Sequence, residues 1–289
     1  MMDTAVNPQS LPMQAQQASV CGGKRLHDVV LENRAGLPLV TVITSTFNGQ
    51  PYVAGCLESV LRQDYPNIEH IVMDGGSRDG TVDILRRYDD RIALWKSEPD
   101  KGIYDAWNKA LAEAQGEWIC FLGCDDELLP GAVSAYIALA AKNPEAEYLS
   151  SQVRWVHPSG YVNPAHGRPW SWKRFSKAMC VAHPGSMHRR SLFERLGTYD
   201  TSYRTAADYE LLLRARGELK AAFMPVVTAI MRAGGASDNS DALLEAYRAR
   251  TLTGQRNVLL AKTELWEFRI RFKLGVFRRA LGRLIAQWR

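Results

Sequence analysis

The feature that most constrains this chain is the alternation of strand and helix signals through its first half. Each strand signal runs out into a polar cluster. Leu39–Ser45 is a β-branched apolar run of the kind that forms a buried strand. Helical spacing follows over Pro51–Gln63 through Val53, Leu57, Val60 and Leu61. The pattern then predicts a strand over Ile68–Met73 and a helix over Thr81–Tyr88, capped near Ser77 or Asp79. A strand over Ile92–Trp95, a helix over Tyr104–Ala114 and a strand over Trp118–Leu122 complete the half. Strands and helices alternating at this spacing imply βαβ units, hence an α/β fold with a mostly parallel central sheet flanked by helices. Ligands of such sheets sit beyond the carboxyl ends of the strands. Thr46-Phe-Asn48, Asp74-Gly-Gly-Ser77 and Cys124-Asp-Asp126 all fall at those ends, so one crevice is expected to collect them.

The second half is less regular. Ala146–Val162 reads as a hairpin or two short strands, and Ser191–Leu196 and Ala206–Arg216 as helices. Ala221–Met231 reads as a strand, and Glu245–Lys262 and Thr263–Arg289 as terminal helices. The expected organisation is a poorly ordered, polar lead-in over 1–36, one main domain over 37–240 in two parts, 37–127 and 128–240, and basic amphipathic helices over 241–289. With 289 residues, 46% of them apolar, such a chain can bury a proper core. Cys21, Cys56, Cys120, Cys124 and Cys180 form no CxxC pair and no disulfide framework, which suits a reducing, cytoplasmic setting. The lead-in lacks the charged-then-apolar order of a signal peptide. No apolar run approaches the roughly 18 residues of a membrane span.

Three clusters carry chemistry. Asp125 and Asp126 end an apolar strand. Two adjacent carboxylates there repel unless a cation compensates, and Mg²⁺ or Mn²⁺ binds through one or two carboxylates plus phosphate oxygens. An Asp-rich turn capping the helix after Pro130 accounts for the pair equally well. In Asp74-Gly-Gly-Ser-Arg-Asp-Gly-Thr81 the glycines let a ligand approach the backbone, with Asp74 able to accept from a nucleobase or ribose; an ordinary βα turn has the same composition. In Ser97-Glu-Pro-Asp-Lys-Gly-Ile-Tyr-Asp-Ala-Trp-Asn108, Lys101 is a phosphate candidate and Asn108 either a ligand or a surface residue. Neither GxGxxG nor GxxxxGK[ST] occurs.

Thr41-Val-Ile-Thr-Ser-Thr-Phe-Asn48, followed by these three segments in order, resembles the inverting family 2 glycosyltransferases of the GT-A fold, in the bacterial branch that builds surface polysaccharides. The resemblance spans about Leu37 to Ser237 and implies a catalytic domain over 37–240, with 37–127 as its nucleotide-binding half and 128–240 as its acceptor half. It implies a nucleotide-diphospho-sugar donor, by default uridine-based, gripped by Thr46 and Asn48, with Asp74 on the base or ribose. It implies Asp125 as the metal-binding acid with Asp126 beside it, and Mn²⁺ or Mg²⁺ as cofactor. Many members carry an acid where Gly123 or Cys124 stands here. Cys124, a soft ligand, suits neither cation and reads as small filler. Ala206-Ala-Asp-Tyr-Glu-Leu-Leu-Leu213 resembles the stretch holding the catalytic base, which makes Asp208 the candidate and Glu210 the fallback; an acid in the first turn of a helix is the bland alternative. His183 is placed near phosphate or acceptor, or as a structural histidine. Arg232, before Gly234-Gly-Ala-Ser237, is a phosphate partner. Trp170 and Trp172 are either sugar-stacking or core aromatics.

The formal charge of +5 resides in the tail: from Thr263 on, Arg269, Arg271, Lys273, Arg278, Arg279, Arg283 and Arg289 face only Glu264 and Glu267. Phe277, Leu281, Leu284, Ile285 and Trp288 fall on one helical face. Such a helix suits an anionic membrane surface, or packing on the domain or on a second subunit of a homo-oligomer. The membrane reading implies a lipid-linked saccharide acceptor on the inner face of the membrane; no nucleic acid is expected. Two other functions fit parts of the pattern. A nucleotidyltransferase also uses a sheet-end metal site, but Thr46-Phe-Asn-Gly-Gln50 lacks its Gly-rich basic loop. A non-catalytic sugar-nucleotide-binding protein would explain the missing acid at Gly123 and Cys124.

Overall fold

The structure, a computed structural model, describes residues 19–27, 29, 31–157, 160–234 and 240–270. The expected alternation is present: β2 (Val40–Thr46), α1 (Val53–Leu61), β3 (Ile68–Asp74), α2 (Thr81–Arg87), β4 (Leu94–Ser97), α3 (Ile103–Glu113) and β5 (Trp118–Gly123). The three longer strands are buried along nearly their whole length, which is why they read as continuous apolar or β-branched runs. β4 starts two residues later than its sequence suggests. Ile92 and Ala93 are buried, but their amides close on Tyr88 O and His70 O before the ladder with β3 begins at Leu94. α2 is held at its start by Asp79, whose carboxylate accepts the Thr81 amide at 3.1 Å.

The second half adds β6 (Glu127–Leu128), α4 (Ala132–Lys142), β7 (Tyr148–Val156), β8 (Val162–His166), α5 (Trp172–Phe175), β9 (Met187–Arg189), α6 (Arg190–Leu196), α7 (Ala207–Arg214), β10 (Ala221–Arg232) and α8 (Ser240–Leu252). The expected helix over Glu245–Lys262 is broken. The Thr253 and Gly254 amides both close on Ala249 O, ending α8. Asn257 then takes the Leu259 and Leu260 amides at 3.0 and 3.2 Å and opens a new helix over 258–270. The amphipathic stretch from Phe277 lies outside the described residues.

One sheet runs through both halves. Its order is β1 (Val20–Gly22), β4, β3, β2, β5, β9, β7, β10 and β6, with β8 paired to β7. β4, β3, β2 and β5 are mutually parallel. The inserted β9 runs antiparallel to both β5 and β7 and makes the sheet mixed. The winding reverses between β2 and β5, so a crevice opens beyond their carboxyl ends. The lead-in expected over 1–36 enters the fold: Val20–Gly22 pair with β4, and the Gly23 amide donates to Asp89 at 2.7 Å. Apolar clusters cover both faces of the sheet, one around Trp107, Phe121 and Leu212, another around Trp118, Tyr136 and Leu149.

At the opposite, amino end of the parallel strands, the fully buried Glu69 pairs with Arg25 and accepts from Thr41 Oγ1 at 2.6 Å and the Gln115 amide at 2.8 Å. Removing this carboxylate takes an acceptor from the Arg25 guanidinium, the Gln115 amide and the buried Thr41 hydroxyl. Glu69→Ala is expected to lower the unfolding free energy by about 3 kcal/mol in urea titrations. A loss below about 1 kcal/mol, the scale of a surface pair, would show that the cluster contributes little.

Candidate active site

β5 delivers the acidic pair. Its apolar side chains are buried up to Leu122, and at Gly123 the chain turns so that the Asp126 amide returns to Gly123 O at 3.0 Å. A Cβ on residue 123 would stand 2.9 Å from Asp125 Oδ1 and 3.3 Å from Asp126 Oδ2. The glycine thus gives both carboxylates room to fold back, and an acid in its place would displace them. Cys124 packs near Thr46 against Gly49, where any Cβ would meet Thr46 Oγ1 at 2.3 Å and Cys124 Sγ at 2.9 Å. Burial pushes the Cys124 thiol up, so it stays protonated and is no ligand for a hard cation.

Asp126 is 6% exposed. Burial first, and then the charge of Asp125, push its carboxyl up to about 8, against the Arg232 amide, which donates to Oδ1 at 3.0 Å. Asp125 is half-buried and faces a cleft of about 480 Å³. Asp126, His183, Arg232 and Asp208 line the same cleft. Arg232 also pairs with Glu127 at 2.9 Å and lies over the Tyr52 ring. A buried carboxyl held neutral beside a charged one is a pair that a cation would relieve. Among the described residues no group of three or more His, Cys, Asp or Glu side chains is arranged to hold a metal.

Asp208 reaches this cleft from the first turn of α7. Its Oδ1 accepts the Tyr104 hydroxyl of α3 at 3.0 Å. His183, in the loop before β9, lies flat on Trp107, with ring centroids 5.1 Å apart, and faces the Tyr199 hydroxyl at 3.4 Å. Burial pulls its pKa down despite the opposing charge of Asp208, so the ring is neutral at pH 7. Glu210, the fallback base, is spent elsewhere: it is buried, bound by Arg214, and accepts from Thr253 Oγ1 at 2.8 Å.

The remaining expected residues do not line the cleft, and their hydrogen bonds explain why. Asp74 is 2% exposed and accepts the Gly76 and Ser77 amides at 3.1 and 2.9 Å, the Ser77 hydroxyl, and the Ser97 hydroxyl at 2.6 Å. It shapes the loop after β3. Asn48, in the left-handed region at φ 50°, braces the same loop: its amide donates to Ser77 Oγ at 2.7 Å and its Oδ1 accepts the Arg78 amide at 3.0 Å. Thr46 is buried at the end of β2. These loops border a smaller cavity of about 200 Å³, lined by Gly76, Ser77, Ser97 and Pro99 with Val20 and Arg86. Asn108 clasps Tyr199, donating to its carbonyl at 2.8 Å and accepting its amide at 3.0 Å. Lys101 is exposed, its backbone amide bound to Asp105. Trp170 packs on Phe175 at 4.3 Å, and Trp172 opens α5; both are half-buried against the core. Sequence reasoning missed Tyr104. It stands in a motif read for its charges, and its signal was a hydroxyl on the apolar face of a helix.

Residues 41–197 match the family model described as Glycosyl transferase family 2. An uncharacterized glycosyltransferase of Mycobacterium tuberculosis is 37% identical over 183 residues, covering 62% of this chain and 69% of that one. Among solved structures, a fragment of S. aureus TarS in complex with UDP-GlcNAc has a TM-score of 0.61 at 18% identity, covering 80% of this chain and 71% of that one. The mannosyltransferase PcManGT from Pyrobaculum calidifontis, in complex with GDP-Man and Mn²⁺, has a TM-score of 0.58 at 22% identity, covering 82% and 72%. The fold is the GT-A fold.

The raised Asp126 carboxyl has a pH signature of opposite sign to that of a salt-bridged aspartate. Between its ordinary value of 3.8 and about 8 the folded state holds a proton that the unfolded state has lost. Stability therefore falls as pH rises through that window and levels off above it. Thermal melts in EDTA should show wild type losing ground to Asp126→Asn from about pH 4 to about pH 8 and running parallel to it beyond. Parallel curves throughout would mean that Asp126 ionises normally.

Proposed function

The chain belongs to glycosyl transferase family 2, and from that premise we propose that it moves a sugar, with inversion, from a nucleotide-diphospho-sugar to an acceptor hydroxyl. The donor is a uridine-diphospho-sugar, and the acceptor a lipid-linked saccharide in the assembly of a bacterial surface polysaccharide. The reading rests on one observation above all: Asp125, after β5, and Asp208, at the start of α7, line one cleft. An acid suited to a cation–diphosphate complex and an acid suited to a base thus share the space in which donor and acceptor would meet.

Asp208 takes the proton of the acceptor hydroxyl as that oxygen bonds to the anomeric carbon. The bond from that carbon to the phosphate oxygen breaks at the same time, and the nucleoside diphosphate leaves with the electron pair. Asp125, with Asp126 beside it, would hold Mn²⁺ or Mg²⁺, which when bound offsets the charge of the leaving diphosphate. Arg232 offers a guanidinium at the same rim, oriented by Glu127. Lys101 is an exposed second cation for phosphate. Thr46, Asn48 and Asp74 act on the donor through the loops they brace, beside the smaller cavity, which suits a nucleoside. UDP-GlcNAc in the one structural relative and GDP-Man with Mn²⁺ in the other support a nucleotide-sugar donor and a divalent cation.

We further infer a peripheral place on the inner face of the membrane, which the exposed apolar side chains of the last described helix support. Leu259 and Trp266, on the helix 258–270, are 72% and 68% exposed, and the sequence beyond is basic. No helix among the described residues is long and apolar enough to cross a membrane.

With Mn²⁺ and a panel of UDP- and GDP-sugars, slow nucleoside diphosphate release is expected from one donor and is abolished by Asp125→Ala. Failure of every donor to bind with metal would reject the transferase chemistry. Asp208→Asn should retain donor binding and lose at least about a hundredfold in turnover; near wild-type rates would reject Asp208 as base. The full-length protein should co-sediment with anionic vesicles and lose that binding when 263–289 is deleted. Equal recovery with and without the segment removes it as the anchor.

A further inference from the structure

α7 begins without a side-chain cap of its own. Ala206 stands at the N-cap, and the turn before it carries amides that need acceptors. They find one in another helix. Glu245 of α8 accepts the Arg204 amide at 2.9 Å, the Thr205 amide at 2.7 Å and the Ala206 amide at 3.1 Å, together with the Thr205 hydroxyl at 2.9 Å. A carboxylate at this position also complements the positive end of the α7 dipole. Two residues on, Asp208 Oδ1 accepts the hydroxyl of Tyr104, a side chain 5% exposed in the first turn of α3. Among the described residues no hydrogen bond reaches Oδ2.

We propose that Tyr104 and Glu245 are positioning residues for Asp208. Tyr104 holds one carboxylate oxygen so that the other is presented to the acceptor hydroxyl, while Glu245 pins the turn that carries the residue. The proposal rests on the reading of Asp208 as the base. Restraints from α3 and α8 leave the carboxylate little freedom of place or plane, which a proton transfer needs.

Burial, and then the charge of Asp208, push the Tyr104 hydroxyl well above its usual range, so it remains a donor at every working pH. The other groups around Asp208 stay the same in a variant that lacks the hydroxyl. His183, Tyr148 and Tyr199 are neutral through burial. Arg204 on the same turn, and Asp125, Asp126 and Arg232 in the cleft, are retained.

The test uses the full chain with Mn²⁺ at neutral pH and follows nucleoside diphosphate release with water as acceptor. For Tyr104→Phe, kcat should fall roughly tenfold with donor KM within about twofold. Rates are taken per folded site, counted by donor titration, so partial misfolding does not mimic the loss. Glu245→Ala should lose roughly tenfold in kcat at the same donor KM, and Glu245→Gln, which keeps an acceptor oxygen, should recover part of that. A wild-type kcat in Tyr104→Phe, an effect confined to KM, loss of all turnover with donor affinity retained, or equal losses in the two Glu245 variants would overturn the proposal. Asp208→Asn measured alongside separates the two levels. If it turns over the donor at the wild-type rate, the base reading fails. If it is inactive while Tyr104→Phe keeps the wild-type kcat, only the positioning role fails.

Discussion

The bond from the Arg232 amide to the Asp126 carboxyl is the contact on which the site depends. Two neighbouring carboxylates at the end of a buried strand repel each other, and one of them is almost sealed from water. The turn tolerates them because Gly123 keeps a side chain out of their way and because β10 supplies a donor at the right place. That donor is fixed in turn. β6, immediately after the acids, pairs with β10 at Ile230 and Ala229, and β10 lies parallel to β7 along most of its length. The acids of the first half are therefore braced by a strand of the second. The two halves anticipated from the sequence are one continuous sheet, and the cleft lies where they join.

The strands that build the floor of the site were legible because burial on both faces leaves an unmistakable apolar signature. β2, β3 and β5 appear where their sequences put them, and the acidic pair stands out as charge following an apolar run. β9 is three residues long, too short for any periodicity, yet it joins the parallel strands of the first half to β7 and β10. The break between α8 and the next helix was hidden because helical spacing continues on both sides of Gly254. Among the site residues, the pattern could name polar side chains at strand ends but not their partners. Asp74, Asn48 and Asn108 have the composition of ligands, yet Asp74 is taken up by two amides and two serine hydroxyls, Asn108 by the backbone of Tyr199, and Asn48 Oδ1 by the Arg78 amide. Glu245 had no local signal at all, because its partners lie about forty residues away.

The division of labour is physical. Hydrogen bonds inside the loops after β2 and β3 each contribute about 1 kcal/mol, and together they hold backbone amides and glycines in a fixed contour. Residues that face the cleft are left less encumbered: Asp125 is half-buried, and one oxygen of Asp208 has no partner among the described residues. The neutral His183 stacked on Trp107 adds bulk and a flat polar surface without adding charge.

β1 has a consequence beyond the site. A terminal strand such as β4 would otherwise present a row of unsatisfied amides and carbonyls, a template on which another chain can add. Three residues, Val20 to Gly22, cover it. The approach is so close that a side chain on Gly23 would sit 2.7 Å from the Ala93 carbonyl oxygen. Shortening the chain past Cys21 would bare this flank and take Val20 from the wall of the smaller cavity, so one short segment bears on both colloidal behaviour and the shape of that cavity.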